Sequence, residues 1–286
     1  MRPTDTWARK IGDLGSVPKI FRDFLPGESA GAFPYTVYAP TDRWGFRKSH
    51  PKLFFVLDDS ITFLELGRAG VARRTFPFAG VTRVEMGRIL LHAWIKVSGV
   101  SEGQNASVTV EFNSVVEDLF RPVAETIRAA AAGIPPAGEE SLRPEWEKLD
   151  FLAKISIKFA NFAKLGLIPG EEVLAAIFEP DIRQKGLFGL RTVVPTHLVV
   201  LTDREMILIS DDRHRDLHQT FGGIWSCMPL GKIGRMHAAE DEAGNPTLQA
   251  ELVDGTRLDS RFSASNREEL HRLQEAFAAQ RAKQAG

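Results

Sequence analysis

The sequence has few of the residues and runs that would place the protein in an oxidising compartment or in a membrane. Its single cysteine, Cys227, cannot form a disulfide within the chain, which favours a reducing compartment. No stretch approaches the roughly 20 apolar residues of a membrane span, and residues 1–7 lack the apolar core of a signal peptide. We therefore expect a cytoplasmic location.

The chain also lacks an excess of either charge. It has 36 Lys and Arg residues against 37 Asp and Glu residues, for a net charge of −1. No overall field draws such a chain to nucleic acid or to an anionic membrane. We expect no nucleic-acid partner, and membrane binding would require a local basic patch.

Sequence patterns that carry chemistry are missing too. There is no phosphate-binding Gly-rich loop, no Gly-x-Ser-x-Gly elbow and no cysteine pair for zinc. His214 and His218 are spaced as on a metal-binding helix, but the charged residues around them favour a solvated loop. Cys227 lies in an apolar run and is interpreted as a core residue. We expect no catalytic residue, no cofactor and no metal.

What the sequence does contain is an internal repeat. Residues 25–28, 53–58 and 76–83 return in the same order as residues 168–171, 198–203 and 228–235, at offsets of about 143–152 residues. This period is too long for a solenoid, whose units have about 20–50 residues. It indicates a duplicated domain.

Each half shows several short runs rich in Val, Ile, Phe and Thr, separated by turn residues, and then one amphipathic helix. In the first helix Val115, Leu119, Val123 and Ile127 share a face, with Pro122 expected to bend or break it. In the second helix the stripe is Leu270, Leu273 and Phe277. The predicted strands are 33–39, 53–57, 61–66, 71–78, 81–86, 89–97 and 108–112, then 173–178, 190–194, 198–201, 206–210, 224–230, 233–238, 248–253 and 257–262.

This order of elements resembles the pleckstrin-homology-like superfold, including its GRAM-like versions. Residues 88–95, 112–115 and 120–122 look similar to bacterial proteins of this type that have no known activity. The resemblance implies an α+β, mainly β chain with two similar, partly open antiparallel barrels, each closed by a C-terminal helix. It also implies binding of lipids or proteins rather than catalysis.

Four segments follow from these patterns. They are an N-terminal helical segment (1–24), a first domain (25–133), a linker (134–166) and a second domain (167–286). The linker holds an amphipathic helix at 146–165, whose apolar face contains Phe151, Leu152, Ile155, Phe159 and Phe162. It either packs against the domains or lies on a membrane, and packing is favoured because the first domain is preceded by a similar segment.

The candidate binding residues lie in a loop that recurs before residues 53 and 198. The loop combines basic and bulky apolar residues with glycines: Arg43, Trp44, Phe46, Arg47 and Lys48 in the first copy, and Lys185, Phe188 and Arg191 in the second. Arginine suits phosphate oxygens and aromatic rings suit a membrane interface. In the alternative interpretation the aromatic side chains fill the barrel mouth and the charges stay solvated.

These observations lead to one preferred function and two alternatives. The preferred one is a non-enzymatic adaptor that recruits a protein partner. The first alternative is a peripheral protein at the inner membrane face that binds anionic lipid or phosphoinositide. The second is an enzyme of unknown type. The partner and the oligomeric state stay open.

Overall fold

The computed structural model describes residues 7–25, 33–41, 43–44, 47–133, 146–186, 189–211, 222–241 and 244–285. The chain divides into two compact units, Met1–Ala131 and Ala132–Gly286. Strands make up 49% of the described residues and form several antiparallel sheets, with few helices. The prediction of a mainly β protein is thus confirmed, and no sheet built from the described residues closes into a barrel.

The first unit holds an antiparallel sheet in the order β1-β2-β5-β6-β7, a small hairpin β3-β4 inserted after β2, and an antiparallel meander β8-β9-β10. The helix α1 closes it. The elements are β1 (Arg9–Ile11), β2 (Tyr35–Ala39), β3 (Arg43–Trp44), β4 (Arg47–Lys48), β5 (Lys52–Val56), β6 (Ser60–Gly67), β7 (Gly70–Pro77), β8 (Val81–Ile89), β9 (His92–Ser101), β10 (Gln104–Asn113) and α1 (Arg121–Ala131).

The N-terminal segment differs from the expected helix. It consists of β1 and two 3-10 helices, Leu14–Ser16 and Lys19–Phe24. Short pieces form here because Gly12, Gly15 and Pro18 interrupt any longer helix. The segment covers one face of β5, so that β5 is buried on both sides. Leu53 and Phe55 pack on the segment, whereas Phe54 belongs to the main core.

The closing helix begins later than expected. Residues Ser114–Leu119 form a 3-10 helix, and Pro122 occupies the first turn of α1, where a missing N–H has no cost. Consequently Val115 is not part of the buried stripe and is 58% exposed, while Val123 and Ile127 are buried. Below the helix, Phe120 stacks on Phe112 with ring centroids 3.6 Å apart.

In the second unit a 3-10 helix, Trp146–Lys154, and α2 precede an antiparallel sheet in the order β11-β14-β15-β16. A hairpin β12-β13 is inserted after β11, a meander β17-β18-β19 follows, and α3 closes the unit. The elements are α2 (Ile157–Gly166), β11 (Val173–Glu179), β12 (Ile182–Gly186), β13 (Gly189–Val194), β14 (His197–Thr202), β15 (Glu205–Ser210), β16 (Gly222–Pro229), β17 (Ile233–Glu240), β18 (Pro246–Leu252), β19 (Arg257–Arg261) and α3 (Arg267–Ala285).

The strand β14 is buried on both faces. Leu198 and Val200 pack against α2, while Val199 and Leu201 belong to the core that α3 completes with Leu270 and Leu273. Two opposite covers explain why this strand is a continuous apolar run rather than an alternating one.

The predicted helix at 146–165 is interrupted. Ser156 caps α2 by accepting a hydrogen bond from the Phe159 amide (3.4 Å), so the chain changes direction at residues 155–156. The predicted apolar face therefore splits. Leu152, Phe159 and Phe162 are buried against the sheet, while Phe151 and Ile155 are exposed.

Within each unit the chain follows the same plan. A four-stranded antiparallel meander with a hairpin inserted after its first strand leads into a three-stranded meander and a closing helix. This shared order supports the internal repeat in the sequence.

Candidate functional site: two inserted hairpins and a cavity

The first inserted hairpin carries the first set of candidate residues. Its ladder pairs Arg43 with Lys48 and Trp44 with Arg47. Lys48 is exposed, and Phe46 lies outside the described residues. The structure therefore brings the three predicted basic positions together within one two-rung hairpin.

The second hairpin carries the other set. Its ladder pairs Lys185 with Leu190 and Gln184 with Arg191. Since directly paired residues share a face and neighbours along a strand alternate, Lys185 and Arg191 project from opposite faces. Both are exposed, and Phe188 lies outside the described residues. The two cations therefore do not form one flat patch.

One further basic residue of this hairpin is already engaged. Arg183 pairs with Asp181, and the Thr192 hydroxyl donates to the same carboxylate oxygen at 3.3 Å. Asp181 thereby anchors the base of the hairpin. Lys185 and Arg191, nearer the tip, keep their charges available to a partner.

A second feature, which no sequence pattern predicts, is a cavity of about 460 Å³ in the second unit. Its walls come from the end of β13, from β14 and β15, and from all three strands of the β17–β19 meander. The register places Gln249 beside Asp259 and Thr247 beside Arg261. It also places His197 beside Ser210. Polar residues from two sheets thus line one concave surface.

His197 forms a buried part of the cavity wall and is only 3% exposed. Its Nδ1 lies 3.0 Å from the Pro195 carbonyl oxygen, and its ring centroid is 4.8 Å from that of Phe262. Burial lowers the pKa of His197, although the Pro195 contact and the nearby Glu179 charge oppose this effect. A neutral ring that donates from Nδ1 has an acceptor at Nε2, and this Nε2 is buried without a hydrogen-bond partner.

Two carboxylates of the cavity are held by arginines. Asp241 pairs with Arg261 at 3.1 Å and caps the turn by accepting from the Asn245 amide at 2.8 Å. Glu240 pairs with Arg267 at 2.9 Å. These pairs tie the β17–β18 turn to β19 and to the start of α3, so they define one rim of the cavity.

No local sequence pattern predicts this cavity, because the residues that line it are spread along the chain from Val193 to Arg261. His197 lies in an apolar run of the sequence, and only its Nδ1 has a hydrogen-bond partner. Cys227 is a buried core residue, as expected.

The remaining observations concern a metal site and a membrane span. His214 and His218 lie outside the described residues, and within the described residues no three His, Cys, Asp or Glu side chains converge as metal ligands. Among the described helices, none combines the length and apolar character of a membrane span. In comparison with known proteins, no family model matches the chain, and no curated protein matches its sequence.

Proposed function

We propose that this chain is a non-enzymatic, tandem pleckstrin-homology-like binding protein that recruits a protein partner through its inserted hairpins. The observation that carries the proposal is the hairpin at the same place in both units, after the first strand of the four-stranded meander, with basic residues at its tip. A duplicated module with two equivalent tips suits bivalent binding, where the second contact gains from an elevated local concentration.

A protein is favoured over a lipid surface as the partner because of the second hairpin. Lys185 and Arg191 project from opposite faces, so a groove that wraps the hairpin meets both cations. A flat membrane meets both only if the hairpin enters tip first. The near-zero net charge supplies no general attraction to an anionic bilayer.

Site-specific crosslinking in the cells from which the chain comes tests this proposal. A photoreactive residue at Gln184, which is exposed between Arg183 and Lys185, should capture a discrete protein. The variant Lys185→Glu/Arg191→Glu should abolish that product. A probe at the exposed Arg235 in β17 is the matched control. Identical products from positions 184 and 235, or an unchanged product in the charge-reversed variant, would refute hairpin-mediated recruitment.

A second candidate function is binding to anionic lipid. It is favoured by the first hairpin, whose two short strands hold Arg43, Arg47 and Lys48. Each basic residue near an anionic surface contributes about 1 kcal/mol, so the directly paired Arg43 and Lys48 give weak, salt-sensitive binding. Co-sedimentation with phosphatidylserine vesicles, with and without phosphoinositide, should then fall with salt and in Arg43→Ala/Arg47→Ala/Lys48→Ala. Equal sedimentation of wild type and variant at low salt would exclude this patch.

A further inference from the structure

The cavity of the second unit contains polar groups that the protein itself leaves unused. Ser210, Gln249, Asp259 and Ser260 line it, and their side chains make no hydrogen bond or ion pair with other described residues. The Nε2 atom of His197, in the wall, is also unpaired. Gln249 and Asp259 sit side by side on neighbouring strands, where directly paired side chains lie about 5 Å apart. Gln249 and Asp259 therefore offer two neighbouring acceptors on one face of the β17–β19 sheet.

The charges of the cavity do not cancel. Glu240 and Asp241 are each neutralised by an arginine, whereas Asp259 is not. Its neighbours on the same face of β19, Arg257 and Arg261, pair instead with Glu251 and Asp241, at 3.9 and 3.1 Å. The uncompensated charge at the cavity is thus the negative charge of Asp259.

We propose that this cavity is a binding site for a cationic group, an ammonium or guanidinium, held by Asp259 with Gln249 as a further acceptor. A guanidinium carries donors but no acceptor, which matches a site rich in acceptors. The volume of about 460 Å³ lies in the range of about 300–1,000 Å³ that small-ligand sites occupy. The same charge disfavours a phosphorylated headgroup, so this site is distinct from any anionic-lipid contact of the hairpins.

Two sources can supply the cation, a free amine or a basic side chain of a protein. Agmatine and the peptide acetyl-Gly-Arg-Gly-amide represent them as probes. The peptide with citrulline in place of arginine keeps the shape, but it loses the charge and has a carbonyl acceptor where arginine has an NH2 donor. Inositol trisphosphate serves as the anionic probe.

The measurement is a titration of the full chain followed by amide NMR signals of Val194, Gln249 and Ser260, which report on three walls of the cavity. At least one cationic probe should shift these signals, and added salt should weaken its binding. The variant Asp259→Asn should bind about fivefold more weakly, as expected for one partly exposed charge pair. Glu275→Gln, which removes an exposed carboxylate from α3, should bind as wild type does.

The two cationic probes distinguish the two sources of the cation. Binding of agmatine alone assigns the site to a free amine, and binding of the arginine peptide assigns it to a basic side chain. The proposal is overturned if neither cation shifts the cavity signals at millimolar concentration, if citrulline binds as well as arginine, or if Asp259→Asn binds as wild type. Stronger binding of inositol trisphosphate at these signals would overturn it as well. None of these results depends on the hairpin crosslinking.

Discussion

Adding one methyl group at Gly87 should destabilise the first unit, because Trp94 occupies the space where the methyl group would be. Gly87 in β8 pairs directly with Trp94 in β9, and the indole ring lies over the glycine. A Cβ built at residue 87 would lie 2.0 Å from Cζ2 and 2.2 Å from Cε2 of Trp94. Non-bonded carbon atoms do not approach this closely, so the Trp94 ring must move in Gly87→Ala.

The substitution Gly87→Ala has two destabilising effects and two that partly offset them. Overpacking costs about 1–3 kcal/mol, and the hydrogen bond from Trp94 Nε1 to Glu85 Oε1, at 2.9 Å, is lost, which costs about 0.5–1.5 kcal/mol. Replacing glycine by alanine in a strand stabilises the folded state by about 0.5–1 kcal/mol, because alanine loses less conformational entropy on folding. Trp94 is only half-buried and can swing toward solvent, which relieves part of the clash. We expect a net loss of about 1–2 kcal/mol.

Urea unfolding followed by circular dichroism measures this loss. The control is Gly67→Ala in β6, where the added Cβ would have no atom closer than the Gly70 carbonyl oxygen at 3.9 Å and stability should be unchanged or higher. The decisive measurement repeats Gly87→Ala in a Trp94→Ala background, where the clash is absent. The same loss in both backgrounds would refute the assignment of the cost to the ring.

Three further outcomes follow from burial and charge. Leu270→Ala should cost about 2–5 kcal/mol in urea unfolding because the Leu270 side chain of α3 is buried in the core, whereas Leu119→Ala should cost less because Leu119 is half-buried. Equal losses would contradict the observed helix placement. Burial lowers the pKa of His197, so the unfolded chain binds the proton more readily and stability should fall as pH drops below about 6.5. In His197→Gln the free energy of unfolding should depend less on pH in this range. An unchanged pH dependence would contradict the argument. Lys185→Glu/Arg191→Glu should change thermal stability by less than about 0.5 kcal/mol, since both side chains are exposed, and a larger change would show that they support the fold.

The sequence predicted strands well where they are apolar, but it did not show what covers them. Residues 53–57 and 198–201 were recognised as strands, and both are buried on two faces. The covers are the N-terminal segment and α2, which differ in conformation from the single helices expected. Apolar content determines that a segment is buried, whereas the element that buries it depends on packing between distant parts of the chain.

A single strand predicted at 89–97 is in fact the end of β8, a turn and β9. The turn consists of Leu90 and Leu91, and Leu90 has a φ of 53°. Tight hairpins normally place glycine or asparagine at such a φ, because a bulky side chain there is strained. With leucine at the position, propensity alone favours an unbroken strand.

The cavity was beyond prediction for a different reason. Its polar residues are ordinary strand residues in the sequence, and they become a group only through the registers of β14–β15 and β18–β19. Asp259 is unpaired because the neighbouring Arg257 and Arg261 pair with Glu251 and Asp241. Neither register nor pairing can be read from spacing along one chain.

The hairpin and the cavity of the second unit have opposite electrostatic character although they share β13. Arg191 is an exposed cation on that strand, and Val193, two residues later, already lines the cavity whose free charge is that of Asp259. A single small anion or a single small cation is therefore attracted to one feature and repelled by the other. A protein surface that carries both signs can satisfy both at once, which favours a protein partner over a uniformly anionic membrane. Two variants test the two features separately. Lys185→Glu/Arg191→Glu changes only the hairpin, and Asp259→Asn changes only the cavity, because neither Lys185 nor Arg191 lines the cavity.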